Sequence, residues 1–330
     1  MADEPLATGV WFQGGLKVDV ATALAVQAEQ AGVDSVWVAE GPIARDAFVT
    51  LCSMAVATSR VELSTGVVNP FTRHPAQLAA SFASLDELSG GRAACGIGIG
   101  ARDFLTPIGA DVSKPYTAAR EMVETIRRLL AREDVVLDGQ VFTLNHVRLG
   151  FRPPREDMPI YLAATGPKMC ALAGEATDGI YLLYGTEQYL GPAIARAREA
   201  RTTDAPFKVA SPILLGIDNG DESVKASLRA GVGLNLSEPN AESVLEANGL
   251  DPALAQPIRD GLANGGIKGL IAAVDQSIVD KLTIFGTHAQ CVDRLVEAVS
   301  WGINEPQVLL SGGDPTPQLN VIRDLKAQLA

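Results

Sequence analysis

Five side chains could give or take a proton in a reaction, and each lies at or shortly after the end of a short apolar run: Glu40, His74, Arg102, Tyr184 and Glu187. A positioned acid or base typically contributes about 10²–10⁴ in rate. Glu40 is the first choice, because it closes the apolar run Val36-Trp37-Val38-Ala39. Its alternative role is an ion pair with Arg45 or Arg102. Tyr184 and Glu187 follow as candidates, and His74 reads as a loop cap rather than a catalyst.

A second group of residues offers bare backbone rather than side chains. Gly98-Ile99-Gly100 follows an apolar run, but Asp103 stands where the dinucleotide-binding fingerprint needs its third Gly. Without a Cβ, such a segment either packs closely at a rim or lets its amides approach an anion. Ala164-Thr165-Gly166-Pro167-Lys168-Met169 combines a Gly turn with Pro at a first helical position. The amides of Lys168 and Met169, the helix dipole and the Lys168 charge would together hold a phosphate. The third such stretch runs from Ser64 to Pro75, Ser-Thr-Gly-Val-Val-Asn-Pro-Phe-Thr-Arg-His-Pro. Gly66, Asn69, Pro70 and Pro75 prescribe an irregular turn there, far longer than the few residues that join a strand to a helix elsewhere.

Strands and helices must alternate to carry these pieces. Runs at Thr8–Gln13, Asp34–Glu40, Val61–Leu63, Arg92–Gly98, Pro159–Ala164, Asp178–Tyr184, Phe207–Ile217 and Gln307–Ser311 read as eight strands. Helical spacing is clear at 18–31, 46–58, 75–88, 115–131, 167–176, 188–200, 287–301 and 317–329. Residues 135–151 read as a β-hairpin turning at Asp138-Gly139, and 218–281 as short helices and turns without strands. A (β/α)₈ barrel follows, one domain over 1–330 with insertions near 134–152 and 218–281, and an open doubly wound sheet is its competitor. The pieces at Glu40, Gly66, Gly98 and Thr165 all fall just after strands, on the face where barrel enzymes place their sites.

Composition narrows the class. The 330 residues are 47% hydrophobic, enough for a large core, and the net charge of -12 argues against nucleic acid or an anionic membrane as partner. Cys52, Cys95, Cys170 and Cys291 are far apart and lack Cys-x-x-Cys spacing, so they read as reduced thiols. Three dispersed His give no metal site. The opening Met-Ala-Asp-Glu-Pro has neither the basic flank nor the apolar core of a signal peptide, and no apolar run is long enough to span a bilayer. A cytoplasmic protein with a small-molecule substrate is expected.

Thr65-Gly66-Val67-Val68-Asn69-Pro70-Phe71-Thr72-Arg73-His74-Pro75 resembles the third-strand segment of the luciferase-like flavin and deazaflavin oxidoreductases. The resemblance is nearest the coenzyme F420 branch that includes methylenetetrahydromethanopterin reductase. It extends through Gly98–Gly100, Thr165–Met169, Phe285–Thr287 and Leu310–Pro315, and is weakest over 218–281. It implies a bulge behind a flavin-like ring with a cis Gly66-Val67 bond, and an F420 site at Gly66, Val67, Asn69, Gly98, Gly100, Ala164, Thr165, Gly166, Pro167 and Lys168. It further implies hydride transfer at the deazaflavin C5, with Glu40, Tyr184 or Glu187 handling the proton, and a homodimer. Two alternatives remain open: an FMN-dependent monooxygenase, and a cofactor-free barrel acting as a binding or structural protein. Two positions depart from the family. Glu40 is followed by Gly41 where an acidic residue is often followed by His, and Trp11 stands where the methylene-pterin reductases carry Glu.

Overall fold

The computed structural model describes residues 5–41, 43–100, 102–311 and 313–329, without the side chains of residues 103 and 104. Its first half alternates β1 (Gly9–Phe12), α1 (Val18–Gln30), β2 (Ser35–Val38), α2 (Ala47–Ala57), β3 (Glu62–Thr65), α3 (Pro75–Ser89) and β4 (Ala93–Ile97). A short α4 (Arg102–Leu105) precedes α5 (Pro115–Leu130) and a hairpin of β5 (Val135–Asp138) and β6 (Thr143–Val147). The rhythm resumes with β7 (Ile160–Ala163), α6 (Pro167–Ala176), β8 (Gly179–Tyr181), α7 (Glu187–Glu199) and β9 (Lys208–Ile213). After β10 (Leu215–Ile217) come α8 (Glu222–Asn235), α9 (Ala241–Ala247), α10 (Ala255–Ala273), α11 (Gln276–Leu282) and β11 (Ile284–Gly286). The chain ends with α12 (His288–Ser300), β12 (Glu305–Leu309) and α13 (Thr316–Leu329).

Eight parallel strands close in the order β1-β12-β9-β8-β7-β4-β3-β2, so the barrel is formed and the open sheet is excluded. Side chains alternate along each strand. One set, with Val10, Val36, Leu63, Cys95 and Val308, packs under the helices. The other, with Trp11, Trp37, Ala94, Tyr161, Tyr181 and Ala210, fills the interior.

The run 207–217 is not one strand, as its pattern suggests. After Ile213, Leu214 turns into the interior and its carbonyl accepts the Ile284 amide at 2.9 Å. Residues 215–217 then leave the barrel to pair with β11, a three-residue strand too short to show in the sequence pattern. The hairpin is present, and its turn is held by a carboxylate. Glu121 on α5 accepts amides from Gln140 at 2.8 Å and from Val141 and Phe142 at 3.0 Å each. Burial alone would raise the Glu121 pKa, but these amide hydrogen bonds outweigh it and set the carboxyl below its usual value. Among the described residues no helix is long and apolar enough to cross a membrane.

The N-terminal end of the barrel is closed by charge. The first residues of β2, β3, β9 and β12 are Ser35, Glu62, Lys208 and Glu305. Lys208 Nζ lies 2.6 Å from Glu305 Oε2 and 2.7 Å from Glu62 Oε1. Glu305 Oε1 accepts from Ser35 at 2.7 Å and from the Trp37 indole and Gln307 at 2.8 Å each. Burial disfavours the Lys208 charge, but the two carboxylates more than offset it and hold the ammonium above its usual pKa. Gly9 makes room for this network, since a Cβ there would lie 2.7 Å from Ser35 Oγ and 2.8 Å from Gln307 Cγ.

Candidate active site

The C-terminal mouth is built around an irregularity in β3. Ser64 faces Ala94 and Val68 faces Ile97, so the chain advances four residues on one side against three on the other. That is a one-residue bulge. The Thr65 hydroxyl replaces the missing ladder contacts, donating to Gly96 O at 2.6 Å and accepting from Gly96 N at 3.2 Å. A Cβ at position 96 would fall 1.7 Å from Thr65 O, so only Gly allows the approach. The Gly66-Val67 peptide bond is cis, as the resemblance implies. Val67 packs against the interior cluster and meets Gly98, where a Cβ would lie 2.5 Å from Val67 Cγ2.

Beneath the bulge lies an aromatic floor that the sequence pattern left unassigned. Trp37 stacks on Tyr181 with centroids 5.0 Å apart and meets Tyr161 at 5.3 Å with the rings tilted by 35°. A Cβ on Gly66 would lie 3.3 Å from the Tyr181 hydroxyl, which places that hydroxyl beside the bulge. Burial, then the nearby Glu305, raise the Tyr181 pKa, so the phenol stays protonated and acts as a donor. Its inward position follows from strand parity with Gly179, a signal available in the sequence.

Beyond the bulge, Asn69 Oδ1 accepts from the amides of Phe71 and Thr72 at 3.0 Å each, which folds the loop locally. His74 caps α3, accepting the Ala76 amide at 3.2 Å. Arg73 is the residue the sequence undervalued. Its Nε lies 3.0 Å from both Glu40 oxygens, and its Nη2 reaches Glu40 and Asp46. Both carboxylates raise the Arg73 pKa. Glu40 is thus paired with Arg73, not with Arg45 or Arg102, and its oxygens are occupied by donors. Arg102 is exposed on α4.

Two other expected acid–base groups lie away from the Glu40–Arg73 pair. Tyr184 packs in the layer under the helices, where its hydroxyl accepts from Arg294 Nη2 at 3.3 Å and its ring stacks on Trp301. Strand parity turns Tyr184 away from the interior layer, yet it also lines a narrow cleft with Trp11, Leu183 and Leu214. Glu187 is exposed at the first turn of α7.

Gly98 and Gly100 follow β4, with Gly100 at φ +68° and a Cβ there 3.4 Å from Asn69 Cβ. After β7, Ala164 is buried and donates its amide to Tyr181 O at 3.2 Å. Thr165 is exposed, Gly166 caps α6, and Pro167 begins it. Lys168 is exposed beside them. The Met169 amide is not free, as expected, but donates to Gly166 O at 3.0 Å. A tight first turn has captured it, so the open donors of this helix end reduce to the amides nearer its tip.

A narrow cleft lies at the C-terminal ends of β1, β8 and β9. About 30 Å³ in volume, it is lined by Trp11, Leu183, Tyr184 and Leu214 from the barrel side and by Val232 and Asn235 from α8. Strands β1, β8 and β9 supply the barrel side; in the closed order β9 is opposite β3, β8 is three places from it and β1 only two.

A closed eight-stranded parallel barrel with its glycines, bulge and cleft at the C-terminal mouth defines a barrel enzyme of the kind whose site is made by strand ends. Residues 7–305 match the luciferase-like monooxygenase family, and the chain belongs to it. It is 33% identical over 283 residues to 5,10-methylenetetrahydromethanopterin reductase of Methanolobus tindarius, covering 84% of this chain and 86% of that one. It is also 33% identical over 238 residues to F420-dependent glucose-6-phosphate dehydrogenase of Kineococcus radiotolerans, covering 67% and 70%. The structure of coenzyme F420 dependent tetrahydromethanopterin reductase from Methanopyrus kandleri superposes with a TM-score of 0.86 at 25% identity, covering 97% of each chain.

Proposed function

We propose that this chain is a coenzyme F420-dependent oxidoreductase that transfers a hydride between the deazaflavin C5 and a small organic substrate. The observation that carries this reading is the β3 bulge turned toward the mouth, with Gly66 beside Tyr181 and Gly98 against Val67. The residues present suit a flat, anionic cofactor. Gly66 and Val67 would support the ring, Gly98 and Gly100 would give its tail close backbone approach, and Thr165 to Lys168 would take the phosphate. Asn69 contributes by holding the loop. When bound, the deazaflavin supplies the two-electron chemistry. The chain's own part is to bind and orient, with the Tyr181 hydroxyl donating a hydrogen bond beside the bulge and the Glu40–Arg73 pair fixing the rim.

The FMN alternative has less support, because the relatives from Methanopyrus kandleri and Kineococcus radiotolerans are named for F420. The reading extends to one 330-residue functional unit, working in the cytoplasm as a homodimer. The exposed Val49 and Val56 on one face of α2, with exposed Ile43 nearby in sequence, support pairing. The test is an anaerobic spectral titration with F420 and with FMN, followed by a screen for substrate-dependent bleaching. Saturable F420 binding and bleaching without oxygen uptake are expected. Preferential FMN binding with oxygen consumption, or an intact barrel that binds neither, would overturn the reading.

A further inference from the structure

We infer that an open hollow of about 240 Å³ at the base of the β5–β6 hairpin is a second binding site. It takes the phosphate group of a small phosphomonoester, whose carbon part rests on Leu149 and Phe151. The inference stands independently of the F420 reading.

The hairpin assembles the site. Val135 pairs with Val147, so the chain before β5 lies beside the chain after β6. Arg132 comes from the first segment, Arg148 and Arg152 from the second, and all three line the hollow with Leu149 and Phe151. On a chain of net charge -12, three guanidinium groups around one hollow make a local positive field. Neighbouring carboxylates cancel little of it. Among the described residues Arg132 and Arg152 have no ion-pair partner. Glu133 is taken by Arg128 Nε at 2.8 Å. Asp134 meets Arg148 at one nitrogen, Nη2, at 3.2 Å, and also His146 Nδ1 at 3.0 Å. A guanidinium carries five N–H donors, so Arg148 keeps some for a second anion.

The fold does not account for Arg132. It follows α5 with φ +63°, in the left-handed region that favours glycine. Its amide donates to Leu129 O and the Glu133 amide to Arg128 O, at 3.0 Å each, a turn that closes a helix end. After α1, α3 and α12 this conformation belongs to Gly32, Gly90 and Gly302. The helix dipole does not require a charge at 132 either, since Arg127 and Arg128 already stand in the last turn. What distinguishes position 132 is the hollow it lines.

The lining selects the ligand. Guanidinium forks match the paired oxygens of a phosphate, and three of them suit a group carrying close to two charges at neutral pH. Half-buried Leu149 and exposed Phe151 add an apolar wall. The hollow is many times the roughly 30 Å³ share of one liquid water, which leaves room for a phosphate and a small organic group. Arg155, three residues beyond Arg152, donates to Ala93 O at the start of β4 at 2.6 Å. The site therefore lies toward the strand starts, away from the glycines of the mouth, and its ligand does not touch the reacting atoms.

The probe is phenyl phosphate, titrated calorimetrically into the full chain with and without F420, at constant ionic strength set by chloride. Inorganic phosphate and benzoate are the comparisons. The expected result is saturable binding that persists with F420 present, tightest for phenyl phosphate and weakest for benzoate. Arg132→Gly and Arg152→Gln should each weaken it about fivefold or more, and Lys168→Ala should not. Arg132→Gly should at the same time raise the urea midpoint of the ligand-free protein, because glycine relieves the left-handed turn. A merely structural arginine would not move affinity and stability in opposite directions. Absence of saturable binding, or unchanged affinity in both arginine variants, overturns the inference. So does binding that F420 displaces or that Lys168→Ala removes, which would put the phosphate at the mouth. Benzoate binding as tightly as phenyl phosphate overturns the ligand class, and a lowered urea midpoint in Arg132→Gly overturns the argument from position 132.

Discussion

Gly98→Ala tests whether the bulge supports the cofactor. The added Cβ would lie 2.5 Å from Val67 Cγ2 and 3.0 Å from Ala163 Cβ. Comfortable carbon–carbon contact begins near ~3.5 Å, so the first overlap is about 1 Å. Val67 is β-branched and stiff at χ1, which leaves little relief by rotation. The bulge itself must shift, and overpacking of this kind typically costs about 1–3 kcal/mol. If the ring rests on Val67, a shift on the order of 1 Å forfeits a quarter to a half of each contact it makes there. We expect F420 affinity to fall about tenfold or more, a loss of roughly 1.4 kcal/mol. The assays are urea unfolding for stability and spectral titration for affinity. Gly150→Ala is the control, because a Cβ there meets nothing within 4 Å. A Gly98→Ala protein that is destabilised yet binds F420 like the unaltered chain would refute the placement of the ring.

Four further outcomes follow from particular contacts. Glu121→Gln should lose about 1.5–3 kcal/mol at neutral pH, the worth of charge-assisted hydrogen bonds to the hairpin turn. Because the folded pKa of Glu121 is lowered, that stability is present above the unfolded carboxylate value and disappears as pH falls through the folded one, so urea midpoints of variant and parent should converge in acid. Iodoacetamide at pH 8 should label Cys52 alone in the native protein, since Cys95, Cys170 and Cys291 are buried and burial pushes the Cys170 and Cys291 thiols up to about 11; mass spectrometry showing two or more adducts would contradict this. Glu40→Gln should destabilise the fold by about 1–2 kcal/mol through the weakened Arg73 pair, less than a fully buried pair because Asp46 still holds the guanidinium, and it should slow turnover less than Tyr181→Phe does. Gly166→Val should weaken F420 binding more than Lys168→Ala, whose exposed ammonium is worth about 1 kcal/mol or less; equal, unaltered affinities would move the phosphate toward Gly98 to Gly100.

Much of the fold was legible because it rests on local signals. Each barrel strand is a short apolar run followed by a helix of clear period, and the Pro and Gly punctuation around Pro75, Gly90 and Pro167 matches the observed caps. The β3 bulge was legible for the same reason: its cause lies within Ser64–Pro75. What failed depends on partners far away in sequence. Strand β11 exists because Leu214 turns inward and offers a carbonyl to Ile284, which no window around 284 contains. Glu40 is paired with Arg73 rather than with Arg45 or Arg102 because the loop after β3 folds back across the end of β2, a matter of three-dimensional reach. Tyr181 and Tyr184 differ in setting for a simpler reason. They are three residues apart on a period of two, so they lie on opposite faces: Tyr181 stacks on Trp37 inside the barrel, and Tyr184 stacks on Trp301.

That difference between local and distant causes also separates the two ends of the barrel. The first residues of β2, β3, β9 and β12 converge on one closed network, in which Lys208 is satisfied by Glu62 and Glu305 and Ser35, Trp37 and Gln307 complete the shell. Removing Lys208 would leave two carboxylates facing each other in a largely dry setting, so this end tolerates little change. The strand ends carry the opposite chemistry: glycines at 66, 98 and 100, and a bulge held by one threonine hydroxyl. Trp37 joins the two layers, with its indole nitrogen bonded to Glu305 below and its ring stacked on Tyr181 above. The floor of the site is therefore braced against the charged network at the N-terminal end, through the two contacts of one side chain.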